Sequence, residues 1–183
     1  MLTSTSRRHT RFAAVVIATL VAACAAESPL GPQTLALRTA NTSIDIGEAS
    51  VLATLRAATA RYHDLKAATD DGFVFLHGCE SRPEEGPVGA VYVHPSRLDG
   101  VIDPREPEAL IYEPGENGHS RLVGVELVIP YVAWTNAEPP GFLGATFQPE
   151  DEFGVWGLHV WLWRQNPEGL FAESNPRVSC GAE

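Results

Sequence analysis

The spacing of apolar residues in the first half of the chain predicts a long helix. The positions that form one apolar stripe follow each other by four, three, four and three residues: Val51, Leu55, Ala58, Tyr62 and Leu65. Asp45 and Glu48 have the spacing of a capping box at the start, and Asp70-Asp71-Gly72 supplies the stop. We therefore expect an amphipathic helix from Asp45 to about Asp70 that packs on another element.

After Gly72 the pattern changes to short runs rich in β-branched and aromatic residues, separated by glycine, proline and acidic stretches. These runs are Phe73–Cys79, Ala90–His94, Ala109–Tyr112, Arg121–Pro130 and Leu158–Trp163. Parallel connections would need helical segments between the runs, and no helix-period pattern of useful length lies there. The sequence predicts an α+β fold in which one long amphipathic helix packs on a curved, mainly antiparallel sheet of about five strands.

The last of these runs places a histidine and two tryptophans at every second position, where they share one face of a strand. The other face is aliphatic and consists of Leu158, Val160 and Leu162. If the aliphatic face meets the helix, the aromatic face is left for a loop, a ligand or a partner. If the aromatic face meets the helix, it forms the core. The candidate ligand-binding residues are His159, Trp161, Trp163 and Tyr62.

The beginning of the chain has the charged-then-apolar order of a secretory signal. Three arginines precede the uncharged run Phe12–Ala23, which is too short to span a bilayer as a helix. The run closes on small residues and Cys24, which resembles the bacterial lipoprotein signal; ordinary signal-peptide cleavage nearby is the alternative. We expect residues 1–23 to be a lipoprotein signal peptide, 24–44 a flexible tether and 45–183 a single domain, exported and anchored in the cell envelope.

The charge of the chain disfavours nucleic acid as a partner. The formal net charge is −10, and loss of residues 1–23, which hold three arginines and no acid, makes it −13. A chain this acidic repels phosphate backbones, and the sequence contains no basic cluster. An anionic membrane surface repels it as well, so the expected membrane attachment comes from the lipid on Cys24.

The two remaining cysteines, Cys79 and Cys180, predict a disulfide, because an even pair in an exported domain is typical of one. The alternative is a metal site that combines His77 with Cys79. A spacing of one residue on a strand, with no second thiol nearby, disfavours that alternative.

The strongest chemical hypothesis is a metal or acid–base site made of His159, Glu126 and His94. Two imidazoles and one carboxylate on neighbouring strands could ligate zinc or ferrous iron with positions left open, although no cofactor is specifically predicted. Glu126 could instead act as a general base if burial raised its pKa. Alternatively, Glu126 pairs with an arginine such as Arg121 or Arg164.

From Tyr62 onward the chain resembles a family of exported bacterial proteins that has no established activity. The resemblance is carried by Tyr62-His63-Asp64, Asp71-Gly72, Leu110–Pro114, Arg121–Glu126, His159–Arg164 and Asn175–Cys180. It implies a shared fold unit and no mechanism. The expected function is binding of a small ligand or an envelope partner through the aromatic sheet face. The alternative is a metal-assisted or acid–base enzyme.

Overall fold

The computed structural model describes residues 47–82, 86–115 and 118–181. The predicted signal peptide, the lipidation site Cys24, the tether and Asp45 of the predicted capping box lie outside the described residues. In the part of the chain that the structure describes, no helix is long and apolar enough to cross a membrane.

The predicted helix is present but ends earlier than the sequence indicates. Helix α1 spans 47–59 and continues as a 3-10 turn, Ala60–His63. The helical conformation ends at Asp64. Asp64 is extended (φ −91°, ψ 109°), and its side chain accepts a hydrogen bond from Lys66 N as the N-cap of α2, Leu65–Asp71. The prediction of one continuous helix to Asp70 is therefore wrong, because the aspartate caps a new helix at this position.

The strands form an antiparallel sheet, which confirms the predicted α+β class. In chain order the described strands are β1 Val74–Arg82, β2 Gly86–Val93, β3 Ala109–Pro114, β4 Ser120–Pro130, β5 Gly141–Phe142, β6 Ala145–Thr146, β7 Gln148–Glu150 and β8 Val155–Val160. Among the described residues, six strands build a sheet in the order β1-β2-β3-β4-β8-β7, curled into a half-barrel, and β5 pairs with β6. The sequence analysis did not predict β7.

The side of the sheet that meets the helix carries the main core. Leu55 and Tyr62 from the helical segment, together with Phe73, pack against the fully buried strand residues of β3, β4 and β8. Leu158, Val160 and Leu162 belong to this core. The aliphatic face of the last strand therefore meets the helix, which decides between the two arrangements left open by the sequence.

The opposite side of the sheet is covered in part by the C-terminal segment. One apolar cluster there consists of Ile111, Val123, Trp161 and Val178, packed beside Cys79. The predicted disulfide between Cys79 and Cys180 is confirmed, with a Cα–Cα distance of 5.2 Å. It ties the end of the C-terminal segment to β1 and removes the Cys79 thiol as a metal ligand.

Candidate functional site

The aromatic residues predicted as a binding wall do not share one surface. Trp161 is 2% exposed, and its Nε1 donates to the carbonyl oxygen of Ala172 at 2.6 Å. Strand β8 ends at Val160, so Trp163 does not continue the alternation and instead packs edge-on against His63, with 4.5 Å between ring centroids. Tyr62 is buried in the main core. The structure separates these side chains. Among the four predicted binding residues, Trp161 and His159 are the pair whose rings contact each other.

His94 also lies away from the other predicted site residues. Its Nε2 is 3.0 Å from the carbonyl oxygen of Asp71 and its Nδ1 is 3.0 Å from Ser96 Oγ. The preceding residue, Val93, faces the side of the sheet opposite the helix, and alternation along the strand directs His94 towards the helical side. The prediction that His94 joins Glu126 and His159 is wrong for this reason.

The structure does bring Glu126 and His159 together, and it adds Glu150. Glu126 on β4 and His159 on β8 are direct cross-strand partners. Glu150 ends β7, which pairs with the other edge of β8. One ligand atom from each of the three side chains lies within 4.8 Å of the others. We call Glu126, Glu150 and His159 the carboxylate–histidine cluster.

Gly157 makes the space that the two carboxyl groups occupy. It lies on β8 between Val128 of β4 and Gln148 of β7. A Cβ atom at this position would be 2.6 Å from Glu150 Oε1 and 2.8 Å from Glu126 Oε1. A glycine inside a strand is typical of a place where other atoms approach the backbone closely. Here those atoms are carboxylate oxygens.

A hydrogen bond from the imidazole of His159 to the C-terminal segment orients the ring. Its Nδ1 is 2.6 Å from the carbonyl oxygen of Glu173, which can only accept, so Nδ1 carries a proton and donates. Nε2 is then the ring nitrogen suited to bind a cation. Histidines that ligate metals commonly donate their other ring N–H to a carbonyl or carboxylate in this way.

Burial and negative charge act together on Glu126. It is 6% exposed, and burial raises its pKa well above the ordinary value. The negative charge of Glu150 and a hydrogen bond with its carboxylate raise the pKa further, with smaller effects from Glu173 and Glu108. Two carboxyl groups in contact repel each other when both are ionised, so this site favours the protonated form of Glu126 or a cation that compensates the charge.

Neither arginine considered as a partner of Glu126 in the sequence analysis pairs with it. Arg121 and Arg164 both approach Glu113, at 3.5 Å and 3.7 Å. Glu113 and Glu126 lie at different positions along the paired strands β3 and β4. Glu113 pairs with Arg121, whereas Glu126 pairs with Ala109. The carboxyl group of Glu126 therefore faces Glu150 and His159.

A cavity of about 190 Å³ adjoins the two carboxyl groups on the side of the sheet opposite the helix. Glu126 and Glu150 line one part of it, and the imidazole of His77 lines another. The remaining lining is apolar and includes Leu76, Val93, Leu98, Val128, Phe153 and Val155. Carboxyl groups at the boundary of a mainly apolar cavity form a common arrangement for small-molecule sites.

Glu150 and Gly157 are the functional residues that the sequence analysis missed. Glu150 belongs to the acidic stretch Glu150-Asp151-Glu152, which is typical of a solvated loop. The signal that could have been used is Gly157, a glycine next to the apolar run that contains His159.

Comparisons of the chain with protein-family models, with curated proteins and with solved structures find no match.

Proposed function

We propose that the protein is a metal-binding protein of the cell envelope, in which the carboxylate–histidine cluster binds one divalent transition-metal ion. The observation that carries the proposal is the convergence of two carboxylates and one imidazole within 4.8 Å beside a cavity. Ligand bonds to zinc are about 2.0–2.2 Å long, so two ligand atoms of one ion are at most about 4.4 Å apart. Small side-chain rotations bring the three groups within that limit.

The electrostatics of the cluster favour a cation. A divalent ion compensates the repulsion between Glu126 and Glu150, which otherwise favours the protonated form of Glu126. The hydrogen bond from His159 Nδ1 to the Glu173 carbonyl already directs Nε2 as a ligand. Two of the three ligands therefore gain charge compensation, and the third loses little side-chain freedom when the ion binds.

The donor set indicates the class of ion. Two carboxylates and one imidazole suit zinc, ferrous iron or manganese, whereas magnesium and calcium prefer oxygen ligands alone. Three protein ligands leave further positions for water or a substrate, as in catalytic metal sites. A polarised substrate or an activated water is the chemistry that such an ion would supply, and the protein residues would hold it at the cavity.

The envelope location is part of the proposal and rests on the sequence of residues 1–24. Mass spectrometry of the N-terminal peptide, isolated from bacteria that express the full chain, tests it. A diacylglyceryl group on Cys24 is expected. A peptide that begins elsewhere with an unmodified N-terminus would contradict lipid anchoring and leave the metal site as a separate question.

The ion itself is tested by measuring metal content and affinity on the purified full chain. We expect one equivalent of zinc, iron or manganese by elemental mass spectrometry, and calorimetric zinc binding after the protein has been treated with a chelator. Replacement of either ligand, Glu126→Gln or His159→Ala, should weaken zinc binding by at least about 100-fold, because each removes one of three ligands.

His94→Ala is the matched control, since it removes a histidine that lies outside the cluster. It should keep wild-type zinc affinity, and thermal unfolding of each variant shows whether the fold is retained. A wild-type chain that binds none of the three ions contradicts the proposal. Equal zinc affinity in folded His159→Ala and wild-type protein contradicts it as well.

A further inference from the structure

The cavity next to the carboxylate–histidine cluster has a size and a lining that select a ligand. Its volume is about 190 Å³. An apolar cavity of about 150 Å³ in another protein is large enough to hold benzene. A ligand of the size of one six-membered ring, or a short branched chain, therefore fits beside Glu126 and Glu150.

The cavity lining combines a few polar groups with many apolar ones. Its polar lining consists of the two carboxyl groups of the cluster and the imidazole of His77, which is stacked on the exposed ring of Phe153. Aliphatic side chains from three regions supply much of the remaining lining: Leu76 on β1, Val93 on β2 and Leu98 beyond β2. A ligand that satisfies both kinds of lining has one polar head group and an otherwise apolar body.

The surrounding negative charge limits the net charge that the ligand's head group can carry. The charge of a divalent ion is balanced by Glu126 and Glu150, and two further acids, Glu108 and Glu173, act electrostatically on Glu126. A doubly charged anion such as a phosphate monoester would meet this negative potential with little compensation. A neutral or singly charged oxygen donor, such as a carboxylate, a hydroxamate or an amide carbonyl, is compatible with it.

We propose that the cavity binds a small apolar acyl compound, of about the size of a benzoyl group, whose oxygen head group ligates the ion in the carboxylate–histidine cluster. This inference rests on the proposed function, because the ion is what attracts the head group. It adds the class of ligand, which the ion site alone does not define.

The probe is benzohydroxamate, and acetohydroxamate is its matched counterpart, with the same head group and only a methyl body. Both are titrated calorimetrically into the zinc-loaded full chain. Benzohydroxamate should bind at least about tenfold more tightly, because its ring leaves water for the apolar part of the cavity. Inorganic phosphate should bind more weakly than either.

Val93→Phe tests whether the ring occupies this cavity. Val93 lines the cavity and is separated from Glu126 by Ala109 in the sheet register. The larger side chain should lower the affinity for benzohydroxamate at least tenfold while zinc and acetohydroxamate affinities stay within a factor of about two. Val132→Phe, at a position that is 94% exposed, is the control and should leave all three affinities unchanged.

The outcomes separate the two proposals. Zinc binding that requires Glu126 and His159, together with equal affinities for the two hydroxamates, overturns the ligand inference and leaves the metal site intact. Unchanged benzohydroxamate affinity in folded Val93→Phe also overturns the inference. Failure of the wild-type chain to bind any metal overturns the proposed function, and the ligand inference falls with it.

Discussion

A Cβ atom on Gly157 would lie 2.6 Å from Oε1 of Glu150, closer than a real side chain can approach. The same atom would lie 2.8 Å from Glu126 Oε1. Both oxygens are at the ends of flexible side chains, so a methyl group at position 157 would displace the carboxyl groups without displacing the backbone. Gly157 therefore controls whether the two carboxylates can converge.

We predict that Gly157→Ala weakens zinc binding at least about tenfold, because it displaces two of the three ligands. The same substitution should change the free energy of unfolding by no more than about 1 kcal/mol. Calorimetry with zinc and urea unfolding measure the two effects. Gly78→Ala is the matched control, since a Cβ on that exposed strand glycine would have no atom within 4 Å. Wild-type zinc affinity in Gly157→Ala would contradict the role assigned to the carboxylates.

The sequence predicted two of the three residues of the carboxylate–histidine cluster. Glu126 and His159 each lie inside an apolar strand run, and a polar residue in such a run is a recognisable signal. The strand order decides that they are opposite each other, because β8 pairs with β4 and not with β1. His94 failed as a prediction because alternation along β2 puts Val93 on the cavity side and His94 on the other.

Glu150 could not be predicted from a local pattern. Strand β7 has three residues, too few to show a period of two, and its middle residue is Pro149, which favours a loop in any sequence analysis. It forms because β8 offers a free edge and the turn at 151–154 is short. Trp163 illustrates the same limit, since the apolar run continues past Val160, where the strand ends.

A second prediction concerns Glu108, a buried carboxyl group immediately before β3. It is 2% exposed, and burial raises its pKa to about 8, with one oxygen accepting a hydrogen bond from Val128 N. The raised pKa means that the folded state binds this proton more tightly than the unfolded state does. Glu108 therefore stabilises the fold least at high pH: its contribution is fully present below pH 4.5 and is lost as the pH rises towards 8.

Glu108→Gln should remove this dependence, because the amide keeps an acceptor for Val128 N and does not ionise. We expect the variant to be more stable than the wild type by about 3–4 kcal/mol at pH 8 and nearly equal to it at pH 4.5. Urea unfolding at several pH values measures the difference. Glu106→Gln, at an exposed position two residues earlier, is the control. A stability difference that does not change with pH would contradict the prediction.

The disulfide should support both the fold and the cluster. Cys79 and Cys180 are 101 residues apart, and a bridge that closes a loop of this length contributes up to about 4–5 kcal/mol in the chain-entropy model. The tethered C-terminal segment also holds the Glu173 carbonyl that orients His159. We therefore predict that Cys79→Ala/Cys180→Ala lowers both the free energy of unfolding and the zinc affinity.

The two single variants provide the control for this prediction, because each already breaks the same bond. Each single variant and the double variant should lose similar stability in urea unfolding, and zinc calorimetry below the unfolding transition should show a similar loss of affinity. An unchanged zinc affinity in the folded double variant would indicate that the segment stays in place without its covalent link.

The last prediction compares Trp161 with Trp163. Trp161→Phe keeps an aromatic ring in the buried cluster but removes the donor to the Ala172 carbonyl, which lies 2.6 Å away. Trp163→Phe removes a longer contact, 3.4 Å to Thr59 Oγ1, from a partly exposed ring. A hydrogen bond within the protein contributes about 0.5–1.5 kcal/mol, and the shorter bond is made by the more buried ring, so Trp161→Phe should be more destabilising than Trp163→Phe in urea unfolding.

Ligand titrations of the same two variants distinguish a structural role from a binding role. Because Trp161 is 2% exposed and packs under the C-terminal segment, its substitution should leave benzohydroxamate affinity of the zinc-loaded, folded protein within a factor of about two. Loss of that affinity with unchanged stability would show that the tryptophans that follow β8 contact the ligand. The predicted result instead assigns the two tryptophans to packing, and leaves His159 on β8 as the residue that binds the ion.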